Sequence, residues 1–123
     1  MNRQAAEKRG RGAETLACWY LQLKGWRILA RRARVRGGEV DIIARRRRTI
    51  AFVEVKARAS EEAAAFALDE WRVRRVVTAA ERVAPRYMRE GDDVRIDALF
   101  LVPGRWPKHL ANVWQGDSSS RRY

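Results

Sequence analysis

Two short apolar stretches in the middle of the chain carry charged residues. Residues 39–44 read Glu-Val-Asp-Ile-Ile-Ala, and residues 50–57 read Ile-Ala-Phe-Val-Glu-Val-Lys-Ala. Short runs rich in Val, Ile and Phe are typical of strands covered on both faces. Charged groups rarely enter such a sheet unless they are paired or bind a metal, because their desolvation is costly. Asp41, Glu54 and Lys56 therefore form either a satisfied ion cluster or a site.

The rest of the chain alternates between helical and strand-like patterns. The first helix is predicted up to Lys24 and ends at Gly25, and its apolar residues at helical spacing are Leu16, Ala17, Tyr20, Leu21 and Leu23. Asp69 is a typical N-cap for a later helix. The predicted helices cover residues 13–24, part of 60–67 and the segment after Asp69, and the predicted strands are 26–30, 39–44, 50–57, 94–102 and 109–114. This order predicts an α/β fold with a central mixed sheet of about five strands flanked by helices. We expect one domain over residues 1–116 and a flexible polar tail over 117–123.

The register of the central hairpin decides which charges meet, because side chains alternate along a strand. We expect the turn to pair Arg45 with Ile50. Asp41 then lies opposite Glu54, with Cβ atoms about 5 Å apart. Alternation also places Asp41 and Ile43 on one face of the first strand and Val40, Ile42 and Ala44 on the other. Two carboxylates this close repel each other unless a cation lies between them.

The same residues suit phosphodiester hydrolysis. Asp41 and Glu54, together with the Val55 carbonyl and waters, can hold one Mg²⁺ or Mn²⁺ ion against a phosphate oxygen. Lys56, two residues beyond Glu54 on the same face, can orient the attacking water and share a proton with it, which an arginine cannot do. A structural ion cluster at the end of a sheet is the alternative interpretation.

The chain is strongly basic. Its formal net charge is +12, with 27 Lys and Arg against 15 Asp and Glu. Such an excess favours a polyanionic partner, usually nucleic acid and less often an anionic membrane surface. Trp106, in the 103–107 loop, is a candidate for stacking on a base, although core or interface packing is the commoner role of Trp. If the carboxylates bind a metal against a phosphodiester, we expect two arginine runs to flank the same cleft. These candidate phosphate contacts, which could also be solvated strand ends and turns, are Arg31, Arg32, Arg34, Arg36, Arg45, Arg46, Arg47 and Arg48.

One cysteine, Cys18, and one histidine, His109, exclude several kinds of site. An internal disulfide, a zinc finger and a His-rich metal site cannot be built from them. A metal would therefore be oxygen-ligated, which favours Mg²⁺ or Mn²⁺. The N-terminus has no apolar signal segment, and no apolar run approaches the ~18 residues of a membrane span. We expect a cytoplasmic protein with no membrane partner.

The Asp…Glu-x-Lys pattern, with 12 residues between Asp41 and Glu54, resembles the signature of the PD-(D/E)xK nuclease superfamily. Val40 stands where the superfamily name has Pro. More narrowly, Gly12-Ala13-Glu14, Gly38-Glu39-Val40-Asp41 and Phe52-Val53-Glu54-Val55-Lys56 resemble the YraN family of bacterial proteins, whose fold is similar to that of Holliday-junction resolvases. The resemblance continues through Arg95-Ile96-Asp97 to Trp114 and so covers nearly the whole chain.

This resemblance implies a restriction-endonuclease-like fold and a metal-dependent endonuclease acting on DNA, including branched or structured DNA. It implies Asp41 and Glu54 as ligands of Mg²⁺ or Mn²⁺, Lys56 as the catalytic lysine and Glu14 as an auxiliary acid from the first helix. It also implies a homodimer, because a symmetric junction needs two cuts and a two-fold dimer supplies two identical sites.

Three classes of function stay open on the sequence. The first is the DNA endonuclease. The second is a nucleic-acid-binding module that keeps the fold but cleaves poorly or not at all, because a fold alone does not separate the two. The third is a protein-interaction domain whose basic surface meets an acidic partner or a membrane. The intact set of Asp41, Glu54 and Lys56 favours the first class over the second.

Overall fold

Three helices and five strands alternate along the part of the chain that the computed structural model describes, residues 3–114, with side chains described for 12–69 and 72–114. The helices are α1 (Arg3–Leu23), α2 (Glu61–Ala67) and α3 (Glu70–Val83), the last followed by a 3-10 turn over Ala84–Arg86. The strands are β1 (Arg27–Val35), β2 (Gly38–Arg46), β3 (Thr49–Ala57), β4 (Asp93–Leu101) and β5 (Lys108–Leu110). The tail predicted over 117–123 lies outside the described residues.

The strands form one mixed sheet in the order β1-β2-β3-β4-β5. β1, β2 and β3 are antiparallel neighbours, β4 runs parallel to β3, and β5 is an antiparallel edge strand. The parallel pair requires a crossover, which α2 and α3 provide. The predicted α/β class, with a five-stranded mixed sheet flanked by helices, is confirmed.

Local signals fix the helix ends where the sequence predicts them. The Asp69 carboxylate accepts the Arg72 N–H at 2.8 Å and caps α3. The Ser60 hydroxyl accepts the Ala63 N–H at 3.1 Å and caps α2. α1 ends before Gly25, whose positive φ of 92° suits glycine. Its start differs from the prediction, since the helix begins at Arg3 rather than at residue 13.

Apolar side chains cover both faces of the sheet, as expected for strands between helices. On one face α3 packs on a cluster that includes Val40, Ile43, Ile50, Phe52 and Ile96. On the other face α1 packs on a cluster that includes Ile42, Ala44, Ala51, Val53 and Leu99. Residues 42–44 of β2 and 50–53 of β3 are therefore fully buried, and Asp41 and Glu54 lie just outside these buried segments.

The alternation of side chains breaks at Asp41. Val40 and Ile43 pack on the same α3 face, whereas strict alternation would put them on opposite faces. The neighbouring strand shows the same break at the facing position, where Arg32 has a φ of +52°. The prediction that Val40 and Ile43 lie on opposite faces is thus wrong, because a paired distortion of β1 and β2 inverts the pattern here. Asp41 lies in this distortion rather than in a regular strand.

Several strands differ in length from the predicted ones. β1 continues to Val35 instead of ending at Ala30, because Ala33 and Val35 also pack on the α3 cluster. The first arginine run is therefore part of a strand. β5 is only three residues long, and Val113 instead attaches to β4 through its N–H, which donates to the Ile96 carbonyl at 2.7 Å.

α1 buries a narrower stripe than the sequence predicts. Ala17 and Leu21 are buried against the sheet, whereas Leu16 and Leu23, which were expected on the same stripe, are exposed. Trp19 is exposed beside them. No helix in the part of the chain that the structure describes is long and apolar enough to cross a membrane.

Gly37 and Gly38 allow β2 to begin directly beneath α3. Gly37 has a φ of +84°, which only glycine adopts readily. A Cβ atom at Gly38 would lie 2.3 Å from the Arg75 carbonyl oxygen and 2.8 Å from the Ala79 nitrogen. The absence of a side chain at Gly38 thus sets the spacing between α3 and the strand that carries Asp41.

Candidate functional site

The β2–β3 hairpin opens at the end away from its turn. Its ladder runs from the Arg46–Thr49 pair, through the predicted Arg45–Ile50 pair, to the Ile42–Val53 pair. One residue beyond that last pair stand Asp41 and Glu54. Asp41 Oδ2 accepts the Val55 N–H at 2.8 Å, so a side-chain oxygen takes the place of a strand carbonyl. Since the N–H and C=O of a strand residue point to the same side, the Val55 carbonyl is also directed toward β2.

Glu54 and Lys56 form an ion pair on the α3 face of β3. Glu54 is two residues beyond Phe52, which packs under α3. The Lys56 Nζ donates to Glu54 Oε1 at 2.8 Å, and the side chains are 7% and 13% exposed. Removing either partner would leave a largely buried charge without compensation, which is strongly destabilising. The predicted face shared by Glu54 and Lys56 is the one observed.

The two carboxylates repel each other. Burial raises the pKa of Asp41 and the negative charge of Glu54 raises it further, to about 7, although the Val55 N–H opposes the shift. Burial also raises the pKa of Glu54, and the Lys56 ammonium offsets this only in part. An additional cation would relieve both effects. The site therefore holds more negative charge than its own residues neutralise.

Glu14 approaches the same place from α1. Its Oε1 accepts the Arg32 Nε at 2.5 Å, and the neighbouring Thr15 hydroxyl accepts Arg31 Nη2 at 3.1 Å. The charge of Glu14 adds, after burial and Glu54, to the rise in the pKa of Asp41. The structure thus brings together all four residues predicted as catalytic, with Glu14 already paired to an arginine of β1.

The donor set suits a divalent cation that keeps part of its water. Within the described side chains, no group of three or more His, Cys, Asp and Glu forms a complete metal cage. Mg²⁺, however, is commonly held by one or two carboxylates plus waters. Asp41, Glu54 and the Val55 carbonyl are the groups that would hold it, and a bound cation would favour the charged form of both acids, whose pKa values are raised mainly by burial.

The two arginine runs lie at opposite ends of β2. Arg31, Arg32, Arg34 and Arg36 are on β1 and its following turn, on the side of Asp41, whereas Arg45, Arg46, Arg47 and Arg48 surround the β2–β3 turn. Arg45 is four residues from Asp41, roughly 13 Å along the strand. The expectation that both runs flank one cleft is therefore corrected: the second run lies at the far end of β2, and within the first run Arg31 and Arg32 are the arginines nearest to Asp41.

Within the second run, two arginines have structural contacts. Arg45 is largely buried, pairs with Asp92 at 2.6 Å and donates to the Tyr87 carbonyl at 2.9 Å. Arg46 lies over the Trp26 ring, 4.6 Å from its centre. These contacts attach the hairpin turn to the rest of the fold, so Arg45 and Arg46 already have partners within the protein and are not available as simple phosphate contacts.

A second buried carboxylate provides an internal comparison. Asp97 on β4 is completely buried and accepts hydrogen bonds from Arg95 Nε at 3.0 Å and the Asn112 N–H at 2.9 Å, and it contacts His109 Nε2 at 2.7 Å. Burial alone would raise the pKa of Asp97, but these bonds outweigh it and lower the pKa. Asp97 therefore belongs to a satisfied ion cluster with a lowered pKa, whereas the pKa values of Asp41 and Glu54 are raised, mainly by burial.

Two features of this region, Arg72 and the Asp97 cluster, are missing from the sequence predictions. Arg72 of α3 is close enough to Glu54 for its charge to help offset the burial that raises the pKa of that acid. The Asp97 cluster could have been found, because a lone Asp inside the apolar strand of residues 94–102 is a signal of a buried charge. Arg72 had no such signal, because its approach depends on the packing of α3 on β2.

The fold and site define an α/β protein with a carboxylate–lysine cluster where two central strands diverge. The chain belongs to a family described as "Uncharacterised protein family UPF0102", whose model matches residues 13–101. The predicted YraN-like relationship is thereby confirmed.

Similar proteins span nearly the whole chain. A UPF0102 protein of Sphingopyxis alaskensis is 55% identical over 115 residues, which cover 94% of this chain and 99% of that protein. A UPF0102 protein of Rhizorhabdus wittichii is 54% identical over 117 residues, with the same two coverages. One of Methylorubrum extorquens is 51% identical over 114 residues, covering 92% of this chain and 89% of its own.

Proposed function

We propose that this protein is an endonuclease of the PD-(D/E)xK type, with a restriction-endonuclease-like fold, that uses Mg²⁺ or Mn²⁺ to hydrolyse DNA phosphodiester bonds, including those of branched or structured DNA. The observation that carries the proposal is the meeting of Asp41, Glu54 and Lys56 at the open end of the β2–β3 hairpin. Both acids have raised pKa values there. A polyanionic substrate whose phosphate binds together with a divalent cation fits this arrangement.

Each residue has a distinct role in this proposal. Asp41 is fixed by the Val55 N–H, which leaves its second oxygen for a ligand. Glu54 holds the Lys56 ammonium on one oxygen, so Lys56 is positioned to orient a water and to take or give a proton. When bound, a divalent cation supplies positive charge against a phosphate oxygen and activates a water. Glu14 keeps Arg32 beside the site.

The charge of the chain supports a nucleic-acid substrate. The net charge is +12, and one arginine run lies beside Asp41 on β1. Arg34 and Arg36 are exposed there, at the end of the strand and in its turn. Arginines in such positions contact phosphates without reading sequence. We therefore expect backbone contacts to position the DNA and the carboxylate–lysine cluster to cut it.

Three observations favour a second candidate, a nucleic-acid-binding module without cleavage. The Lys56 ammonium already neutralises part of the Glu54 charge, and Glu14 is paired with Arg32. The described side chains also form no complete metal cage. In that case the cluster would stabilise the fold, and DNA would bind through the arginines alone.

A cleavage assay separates the two. Supercoiled plasmid, a blunt duplex, a forked duplex and a four-way junction would be incubated with Mg²⁺, with Mn²⁺ and with a chelator. Wild type is expected to cut only with metal. Glu54→Gln and Asp41→Asn, which remove charge but keep shape, should cut about 100-fold more slowly or not at all. Lys56→Arg keeps the positive charge but not the shared proton, so it should also lose cleavage.

Glu81→Gln is the matched control, because Glu81 is an exposed acid on α3, about 13 Å along the helix from Arg72. It should cut like wild type. Wild type that binds every substrate and cuts none identifies the binding module. Asp41→Asn and Glu54→Gln variants that cut like wild type would exclude this site.

A further inference from the structure

An apolar groove adjoins the candidate site. It lies between α1 and the loop after β4, has a volume of about 990 Å³, and is called the α1 groove here. Its principal lining side chains are Leu16, Trp19 and Leu23 of α1, Arg58 after β3, and Arg105 and Trp106 of the loop. These α1 residues have the i, i+3, i+7 spacing of a second helical stripe, which faces away from the sheet.

The groove exposes large apolar side chains to solvent. Trp19 is 66% exposed and Trp106 is 82% exposed. Leu16 and Leu23 are also exposed beside them. A contiguous apolar surface of this kind usually marks a place where something binds. The two indole rings, on opposite walls of the groove, are its most distinctive feature.

The charge around the groove decides between possible occupants. Arg58 and Arg105 are both exposed, and no acidic residue lines the groove among the described side chains. A second copy of the chain would bring its own Arg58 and Arg105 and its net charge of +12 to the same place, which like-charge repulsion disfavours. An occupant that combines flat apolar surfaces with negative charge fits better.

Unpaired nucleotides have that combination. Their bases stack on aromatic side chains and on guanidinium planes, and their phosphates pair with arginines. Bases inside a duplex are already stacked and paired, so a duplex cannot occupy the groove in this way. The groove therefore fits a single-stranded segment.

The groove ends next to two elements that carry the candidate site. Ala13 lines the groove and immediately precedes Glu14 on α1. Ala57 also lines it and immediately follows Lys56 at the end of β3. Since side chains alternate along a strand, Ala57 and Lys56 point to opposite faces of the sheet, so a strand leaving the groove would pass around the end of β3 to reach the carboxylates.

We propose that the α1 groove binds the unpaired bases of a single-stranded arm, stacked on Trp19 and Trp106, and leads that arm to Asp41, Glu54 and Lys56. This rests on the proposed function and names its substrate class: nucleic acid in which a single strand leaves a duplex. Trp19 and Trp106 are binding residues, and Arg58 and Arg105 contact the phosphates of the same strand.

Binding in the presence of a chelator tests the groove without requiring cleavage. Fluorescence anisotropy would use labelled oligo-dT, the same length of abasic strand, a blunt duplex and a forked duplex with an oligo-dT arm. Trp106→Ala should weaken oligo-dT and fork binding by about 5- to 150-fold, the range for loss of one base stack. Binding of the abasic strand and the blunt duplex should change less than about twofold. Trp106→Phe should restore most of the affinity.

Phe66→Ala is the matched control, because Phe66 is 88% exposed on α2 and lies outside the groove. It should leave all four affinities unchanged. Trp19→Ala gives an independent second variant, and thermal melting confirms that each variant is folded. If the tryptophan variants lose affinity equally for the blunt duplex and for oligo-dT, or lose no affinity for either, the proposal is overturned.

Light scattering supplies the other decisive result. A wild-type dimer that becomes a monomer in Trp106→Ala would assign the groove to a second copy and overturn the proposal. The nuclease proposal and the groove proposal can fail separately. If wild type never cuts DNA but Trp106→Ala weakens its binding to single strands, the groove proposal stands and the nuclease proposal fails.

Discussion

Asp41 and Val55 are joined across the open end of the β2–β3 hairpin by a hydrogen bond of 2.8 Å from the Val55 N–H to Asp41 Oδ2. Val55 lies between Glu54 and Lys56, so this bond ties the acid of one strand to the acid and amine of the next. It joins β2 to β3 one position beyond Ile42 and Val53, where the strand ladder has already ended. The ion pair between Lys56 and Glu54 then completes the cluster on β3.

Metal should stabilise the folded protein through Asp41 and Glu54. Mg²⁺ or Mn²⁺ at about 100 times its dissociation constant should add about 2.7 kcal/mol to the free energy of unfolding, because only the folded chain brings the two carboxylates together. Differential scanning fluorimetry above pH 7 measures this as a rise in Tm. Asp41→Asn should abolish the rise, and Glu81→Gln should retain it. A rise of equal size in Asp41→Asn would place the ion elsewhere.

The same carboxylates predict a pH dependence in chelator. The folded-state pKa of Asp41 is raised to about 7, mainly by burial, so the folded chain binds more protons than the unfolded chain between about pH 4 and 7. Its contribution to stability therefore decreases as pH rises through that window. Asp41→Asn should show less of this decrease in urea unfolding, and the difference from wild type should be largest above pH 7.

Phosphate contacts and catalysis should be separable by salt. Arg34 and Arg36 are exposed at the end of β1 that follows Arg32, the residue facing Asp41, so replacing both by Ser should weaken duplex binding of all sequences alike. The slope of log affinity against log salt should flatten by about 0.9 for each lost contact. Glu54→Gln should leave this slope unchanged while cleavage is lost.

Arg82→Ser is the control for that experiment, because Arg82 is exposed in the last turn of α3. It removes one positive charge from a different part of the surface. Arg82→Ser could flatten the slope as much as each arginine lost in the double replacement of Arg34 and Arg36. In that case binding follows net charge, and the β1 arginines do not mark the DNA-binding surface.

Much of the hairpin could be predicted from sequence because its signals are local. The turn residues and the apolar runs fix the Arg45–Ile50 pairing, and that pairing brings Asp41 toward Glu54. The inverted alternation at Val40 could not be predicted, because it depends on a paired distortion with Arg32 on another strand. Strict alternation is an assumption that holds only while the ladder is regular.

Long-range contacts explain the remaining differences. Arg45 looked like a solvated turn residue, yet it is largely buried by Asp92, which is 47 positions later in the chain. The exposed stripe of Leu16 and Leu23 looked like core, because helical spacing does not show which face meets the sheet. In both cases burial is decided by tertiary packing, which a local pattern does not contain.

The Arg45–Asp92 pair predicts a loss of stability in acid. The hydrogen bond from Arg45 and that from the Arg89 N–H lower the pKa of Asp92 to about 2. The stabilisation is therefore complete above about pH 4 and is lost as pH falls through about 2. Asp92→Asn should be less stable than wild type at about pH 6, and this difference should shrink toward pH 2 in urea unfolding. Asp93→Asn, at the exposed neighbour, should show no such convergence.

Gly38 should be intolerant of any side chain, because the backbone of α3 occupies the place of its Cβ. That atom would lie 2.3 Å from the Arg75 carbonyl oxygen, so Gly38→Ala must push β2 and α3 apart. We expect a loss of about 1–3 kcal/mol in the free energy of unfolding, measured by urea titration. Gly12→Ala is the opposite control: among the described residues nothing lies within 4 Å of its added Cβ, and alanine in a helix is favoured by about 0.5–1 kcal/mol. If Gly38→Ala is as stable as wild type, the close approach of α3 does not constrain the strand that carries Asp41.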